Sequence, residues 1–122
     1  MARAWVPPPS LPGAADALAR VRAIVATLPG TSETVSHGAP TFWHRKRTFA
    51  SFTDNHHHDG RLAIVCLAAP GAQAMLVDAE PDHYFVPPYV GAKGWVGVRL
   101  DRAPWPAIAS LLEAAYQELA KR

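Results

Sequence analysis

With 122 residues, 49% of them apolar and only 18% charged, the chain is long and apolar enough to bury one core, which excludes the disordered class and makes a second domain unnecessary. Twelve Lys or Arg against ten Asp or Glu leave a formal net charge of +2, too small for a strong whole-molecule field toward nucleic acid or anionic lipid, so any basic footprint is local. Cys66 is the single cysteine, which excludes an intramolecular disulfide and points to a reducing cytoplasm; the N-terminus lacks the apolar core of a signal peptide and no run approaches the ~20 apolar residues of a membrane span, so neither export nor membrane insertion is expected.

Residues 1–13 carry Pro7, Pro8, Pro9, Pro12 and Gly13 and read as a flexible, solvated lead-in to one domain over residues 14–122. From Ala14 to Leu28 the apolar positions Leu18, Val21, Val25 and Leu28 recur at helical spacing, with Ile24 widening the stripe and Arg20 and Arg22 outside it. Pro29-Gly30 stops that helix, because proline disfavours helical geometry in the residue before it. The period then changes. Thr41-Phe-Trp-His and Arg47-Thr-Phe-Ala-Ser-Phe are β-branched or aromatic runs joined by the polar corner Arg45-Lys46, which predicts a hairpin. A histidine-rich connection, Thr53 to Gly60, leads into Arg61-Leu-Ala-Ile-Val-Cys-Leu, apolar on both alternating faces and so expected in the middle of a covered sheet with Cys66 buried.

Pro70-Gly71 opens a short helix through Ala79, halted by Pro81, and His83-Tyr-Phe-Val reads as another strand ended by Pro87-Pro88. Between Trp95 and Leu100 the chain alternates: Val96, Val98 and Leu100 point to the core, while Trp95, Gly97 and Arg99 point the other way. The final helix runs from Pro104 to Leu119, with Trp105, Ile108, Leu112, Ala115 and Leu119 on one stripe and Lys121 and Arg122 at the negative end of its dipole. This order predicts an α+β fold, a mostly antiparallel sheet with the N-terminal and C-terminal helices packed on one face.

Three segments in this order, Leu28-Pro-Gly-Thr-Ser-Glu-Thr, His37-Gly-Ala-Pro-Thr-Phe and Pro87-Pro-Tyr-Val-Gly-Ala-Lys-Gly-Trp-Val-Gly-Val-Arg-Leu, resemble the MmcQ/YjbR family over roughly residues 14 to 120. The resemblance implies a frataxin-like α+β fold and a double-wing DNA-binding role in which hairpins flank a contact surface. It does not imply frataxin's use of iron, since the first helix carries Asp16 as its only acid, beside Arg20 and Arg22.

If the helices cover one face, Trp95 and Arg99 lie on the other, and the hairpin Trp43-His44-Arg45-Lys46-Arg47 adds a second aromatic and more positive charge. Aromatic side chains interleaved with Lys or Arg suit single-stranded nucleic acid, because bases stack and phosphates need countercharge. Trp43, Arg45, Lys46, Arg47, Lys93, Trp95 and Arg99 are therefore the candidate nucleic-acid-binding residues, with DNA as the expected partner. The alternative is a small-ligand or protein-interaction domain with Trp95, Trp43 and His37 lining a cleft. A deep enclosed pocket at Trp95 favours that alternative, and a shallow basic groove favours nucleic acid.

His56-His57-His58 offers ligand types for Zn²⁺, but adjacent residues seldom converge on one ion, so no specific metal site is expected. Cys66 lies in an apolar strand where a thiolate is costly, and Asp78, Glu80 and Asp82 read as a solvated connection around Pro81. No catalytic constellation and no cofactor are expected, and a monomer is the expected state.

Overall fold

The computed structural model describes residues 8–122 and contains three α-helices, α1 (Ala14–Val25), α2 (Ala72–Ala79) and α3 (Trp105–Ala120). Six strands accompany them: β1 (Thr31–Ser36), β2 (Ala39–His44), β3 (Arg47–Asp54), β4 (Leu62–Cys66), β5 (Tyr84–Phe85) and β6 (Val96–Arg99). They form one sheet in the order β1-β2-β3-β4-β6-β5, with every neighbouring pair antiparallel. The fold is α+β, as the order of apolar periods predicts.

Strand register separates the two faces. Across the inner strands Phe52, Ile64, Val98 and Tyr84 lie in one row and Ala50, Cys66 and Val96 in the next, all buried, under α1 and α3. Val21 and Val25 of α1 and Ile108, Leu112, Ala115 and Leu119 of α3 supply the helical side of that core. On the other face one row crosses all six strands: Thr34, Thr41, Ser51, Val65, Gly97 and Phe85. Its residues are small or polar except at Val65 and Phe85, the pattern of a sheet with one face packed under helices.

β1 is an element that hydrophobic period does not reveal. Thr31-Ser-Glu-Thr-Val-Ser lacks an apolar alternation, and four of its six residues are exposed. It is an edge strand held by its pairing with β2 across the turn His37-Gly38, where both residues take left-handed φ of 52° and 78°. Glu33 faces α1 and receives both Nε and Nη2 of Arg22 at 2.8 and 2.6 Å, which fixes this edge to the helix layer. The opposite edge, β5, has two residues, so neither edge presents a long apolar template for another strand.

Several boundaries differ from expectation. α1 ends at Val25, three residues before Leu28, and a tighter turn closes it with Thr27 N donating to Ile24 O and Leu28 N to Val25 O. Leu28 still reaches the core through that turn. β6 begins at Val96, so Trp95 stands just ahead of the strand. The expected flexibility of residues 1–7 lies outside the described residues. Pro8–Gly13, by contrast, is tied to the end of β3: Leu11 N donates to Asp54 Oδ1 at 2.7 Å, Asn55 Nδ2 donates to Pro9 O at 3.1 Å, and Leu11 packs against the core. Among the described residues no helix is long and apolar enough to cross a membrane.

Candidate functional site

The site is built where the β2–β3 corner, the start of β6 and the end of α3 meet. Along β2 and β3 the pairing steps from Phe42 with Ala50 to Trp43 with Thr48, so Phe49 is an extra residue on β3. Such a bulge turns consecutive side chains to new directions. Phe49 is buried toward α3, edge-on to Tyr116 at 5.9 Å between ring centroids, while Trp43 and Thr48 face the other side. Trp43 is fixed there by its indole Nε1, which donates to Thr34 Oγ1 of β1 at 2.8 Å.

Trp43, Lys46, Arg47, Thr48, Leu67, Trp95, Leu119 and Arg122 line one cleft of about 370 Å³, broadly open to solvent. Four of the seven expected residues, Trp43, Lys46, Arg47 and Trp95, are thus brought together. Arg45 is exposed at the adjoining corner, with a left-handed φ of 58°. Lys93 is exposed at the end of the short 3₁₀ turn Val90–Lys93, two residues before Trp95. Gln73 of α2 donates to both Gly91 O and Trp95 O, and Trp95 N donates to Val90 O at 3.3 Å, so the loop carrying Lys93 is clamped at both ends.

Arg99 stands apart. Four residues along an extended strand separate it from Trp95 by roughly 13 Å, and it pairs with Ala63 at the other end of β4. Its Nε is buried without a hydrogen bond, 3.6 Å from Asp101 Oδ1, so it is occupied with local structure. The face near it is not bare either: the Phe85 ring lies over Gly97, and the Arg61 guanidinium sits 4.1 Å above the centroid of that ring. The expectation that Trp95 and Arg99 share one open surface is therefore corrected. Trp95 belongs to the cleft, and Arg99 belongs to the opposite end of the sheet.

His37 is likewise absent from the cleft. It occupies the β1–β2 turn, the whole length of β2 away from Trp43, and lies near the His56–His58 loop instead. There the His56 imidazole is held below the ordinary histidine value, first by burial and then by the neighbouring His57 and His37, with Asp59 opposing. Among the described residues no three His, Cys, Asp or Glu side chains are grouped to hold a metal ion. Cys66 is fully buried in β4, and burial pushes its thiol up to about 12, far from the range of a nucleophile.

Thr48, Leu67, Leu119 and Arg122 are the cleft residues that sequence reasoning missed as site residues. Arg122 is legible as a cation at a helix C-terminus, but only packing carries that terminus to the hairpin corner. Arg47 Nη1 donates to the Arg122 main-chain oxygen at 3.1 Å, and Arg122 Nη2 reaches Ala68 O and Glu118 Oε1, both at 3.4 Å. Arg122 is thereby partly neutralised by Glu118, whereas Arg45, Lys46 and Lys93 form no ion pair among the described residues. A second groove, of about 430 Å³ between α1 and α3, is lined by Ala23, Ile24, Thr27, Leu28, Ala109 and Glu113 and offers neither cation nor aromatic ring.

No curated protein and no solved structure is matched by the chain. The family model described as YjbR matches residues 26–118, a span that runs from the end of α1 through the cleft-forming hairpin and Trp95 into the last turns of α3. By that match, over most of its length, the chain belongs to the YjbR family.

Proposed function

We propose that the chain is a non-enzymatic, monomeric nucleic-acid-binding module of the cytoplasm, with DNA as its first candidate partner. One observation carries this reading: two half-buried indoles, Trp43 and Trp95, open into the same cleft as Lys46, Arg47 and Arg122. The indoles supply flat apolar faces for bases, and the cations supply countercharge for phosphates. Arg45 and Lys93, which form no ion pair among the described residues, extend the positive rim. The lone buried cysteine supports the cytoplasmic setting, since it makes no demand on an oxidising compartment.

Titration of labelled single- and double-stranded DNA against the protein at several salt concentrations tests the reading. Three or four phosphate contacts give a log–log slope of about −3. No binding of either DNA at low salt overturns it.

A second reading, a small-ligand site, draws on the cleft volume of about 370 Å³, which falls at the small end of ligand pockets. Trp43 and Trp95 serve it, but His37 does not, and the cleft is open rather than enclosed. It predicts binding that barely responds to salt.

A further inference from the structure

Tyr89 has no structural reason to be a tyrosine. Its backbone lies at φ 64°, ψ −73°, and Val90 N donates back to Pro88 O at 2.7 Å, so Pro88-Tyr89-Val90 is a three-residue γ-turn of the positive-φ kind. Residues with a Cβ rarely adopt it, because the side chain crowds the neighbouring carbonyl; glycine suits it far better. Nor does the ring gain burial in return, since Tyr89 is 87% exposed, the largest value among the exposed large apolar residues. A strained main chain that displays an aromatic ring to solvent is the arrangement expected of a contact residue.

The surroundings hold the turn in place. Gly91 N donates to Pro87 O at 3.1 Å, Gln73 Nε2 donates to Gly91 O at 2.8 Å, and Trp95 N donates to Val90 O. Gly91 itself is buried with no room for a side chain, since a Cβ there would stand 2.7 Å from Val86 Cγ1. The same short segment therefore carries the displayed Tyr89, the exposed Lys93 and the cleft residue Trp95, with the chain folded back so that Trp95 bonds to the residue after Tyr89.

We propose that the site takes single-stranded rather than duplex nucleic acid, with Tyr89 as a third base-stacking residue beyond Trp43 and Trp95. The proposal rests on the nucleic-acid reading above and deepens it. Stacking on a side chain requires a base whose face is free, which a paired duplex does not offer without unstacking. The cleft offers Trp43 and Trp95 beside Lys46 and Arg47, and the segment leading into Trp95 adds the exposed Tyr89 and Lys93, an alternation of rings and cations suited to an unpaired strand.

The test is fluorescence anisotropy with a labelled oligothymidylate and a duplex of the same length, using the wild-type chain, Tyr89→Phe, Tyr89→Ala and Tyr89→Gly, together with the combined Arg45→Ala, Lys46→Ala and Arg47→Ala variant. The wild type is expected to favour the single strand, and Tyr89→Phe to match it. Tyr89→Ala should weaken single-strand binding roughly 5- to 100-fold with an unchanged salt slope, because stacking releases no counterions. Tyr89→Gly should lose as much affinity while melting no lower than the wild type, which guards against a folding defect in the alanine variant. If Tyr89→Ala and Tyr89→Gly bind like the wild type, or the duplex binds as tightly as the single strand, while the basic-corner variant still loses affinity, the nucleic-acid reading stands and this proposal falls. If the wild type binds neither DNA, both fall.

Discussion

Gly97 is occupied by another residue's side chain. A Cβ built there runs into Cζ and both Cε atoms of Phe85, whose ring lies across the strand and under the Arg61 guanidinium. Gly97→Ala is therefore expected to cost about 1 kcal/mol, the low end for overpacking, because the half-exposed ring can swing outward. Thermal melts check this through a cycle with Phe85→Ala, in whose background Gly97→Ala should cost nothing further. Cys66 poses the reverse case, a residue whose chemistry is silenced by place. With its thiol pushed up to about 12, it should leave a disulfide reagent unreacted at pH 8 in the native protein and react fully in denaturant. Fast native reaction would show that β4 opens far more readily than a fully covered central strand should.

Elements here differ in how they are held. α3 is held by apolar burial: Ile108, Leu112 and Ala115 have no solvent exposure, and Leu112→Ala should cost about 2–5 kcal/mol in a denaturant melt. β1 is held by hydrogen bonding to β2 and by Glu33 receiving Arg22. That hydrogen bond is the main reason the Glu33 carboxyl sits below its ordinary value. A group lowered on folding stabilises the fold above its unfolded pKa of about 4.3, and the benefit fades as pH falls through the still lower folded value. Glu33→Gln should therefore lower the melting temperature slightly at pH 7, and the difference from wild type should shrink at pH 3. Equal differences at both pH values would show that charge plays no part in fixing this edge. Both partners are largely solvated, so the effect is small.

At the scale of the whole molecule, the sheet keeps its two basic ends apart. Lys46 at the β2–β3 corner shares a cleft with Trp43 and Trp95, while Arg99 lies at the far end of β6 beside Asp101. If the cleft binds nucleic acid, Lys46→Ala should reduce the magnitude of the salt slope by about 1, whereas Arg99→Ala should leave it unchanged. The combined Arg45→Ala, Lys46→Ala and Arg47→Ala variant should weaken binding with little change in melting temperature, because all three side chains are exposed. Equal effects of Lys46→Ala and Arg99→Ala on the slope would place the contact surface along the sheet face instead. α1, α3 and the covered strand β4 were legible in the chain because apolar residues recur there at 3.6 or run continuously, whereas α2 was legible from the Pro70-Gly71 and Pro81 that bound it. The Arg45-Lys46 hairpin was legible from β-branched and aromatic runs flanking a polar corner, and the inward set Val96, Val98 and Leu100 from strict alternation. Three features were decided only by tertiary structure. β1 exists because a partner strand satisfies its backbone, not because its side chains alternate. The cleft exists because a one-residue bulge turns Phe49 into the core beside Ala50, leaving Thr48 next to Trp43 on the outer face, and because α3 ends beside the hairpin corner, bringing Arg122 across from residue 47. Arg99 and His37 are excluded from that cleft by length along the strands, since alternation fixes which face a side chain takes but not where along the sheet its strand is registered.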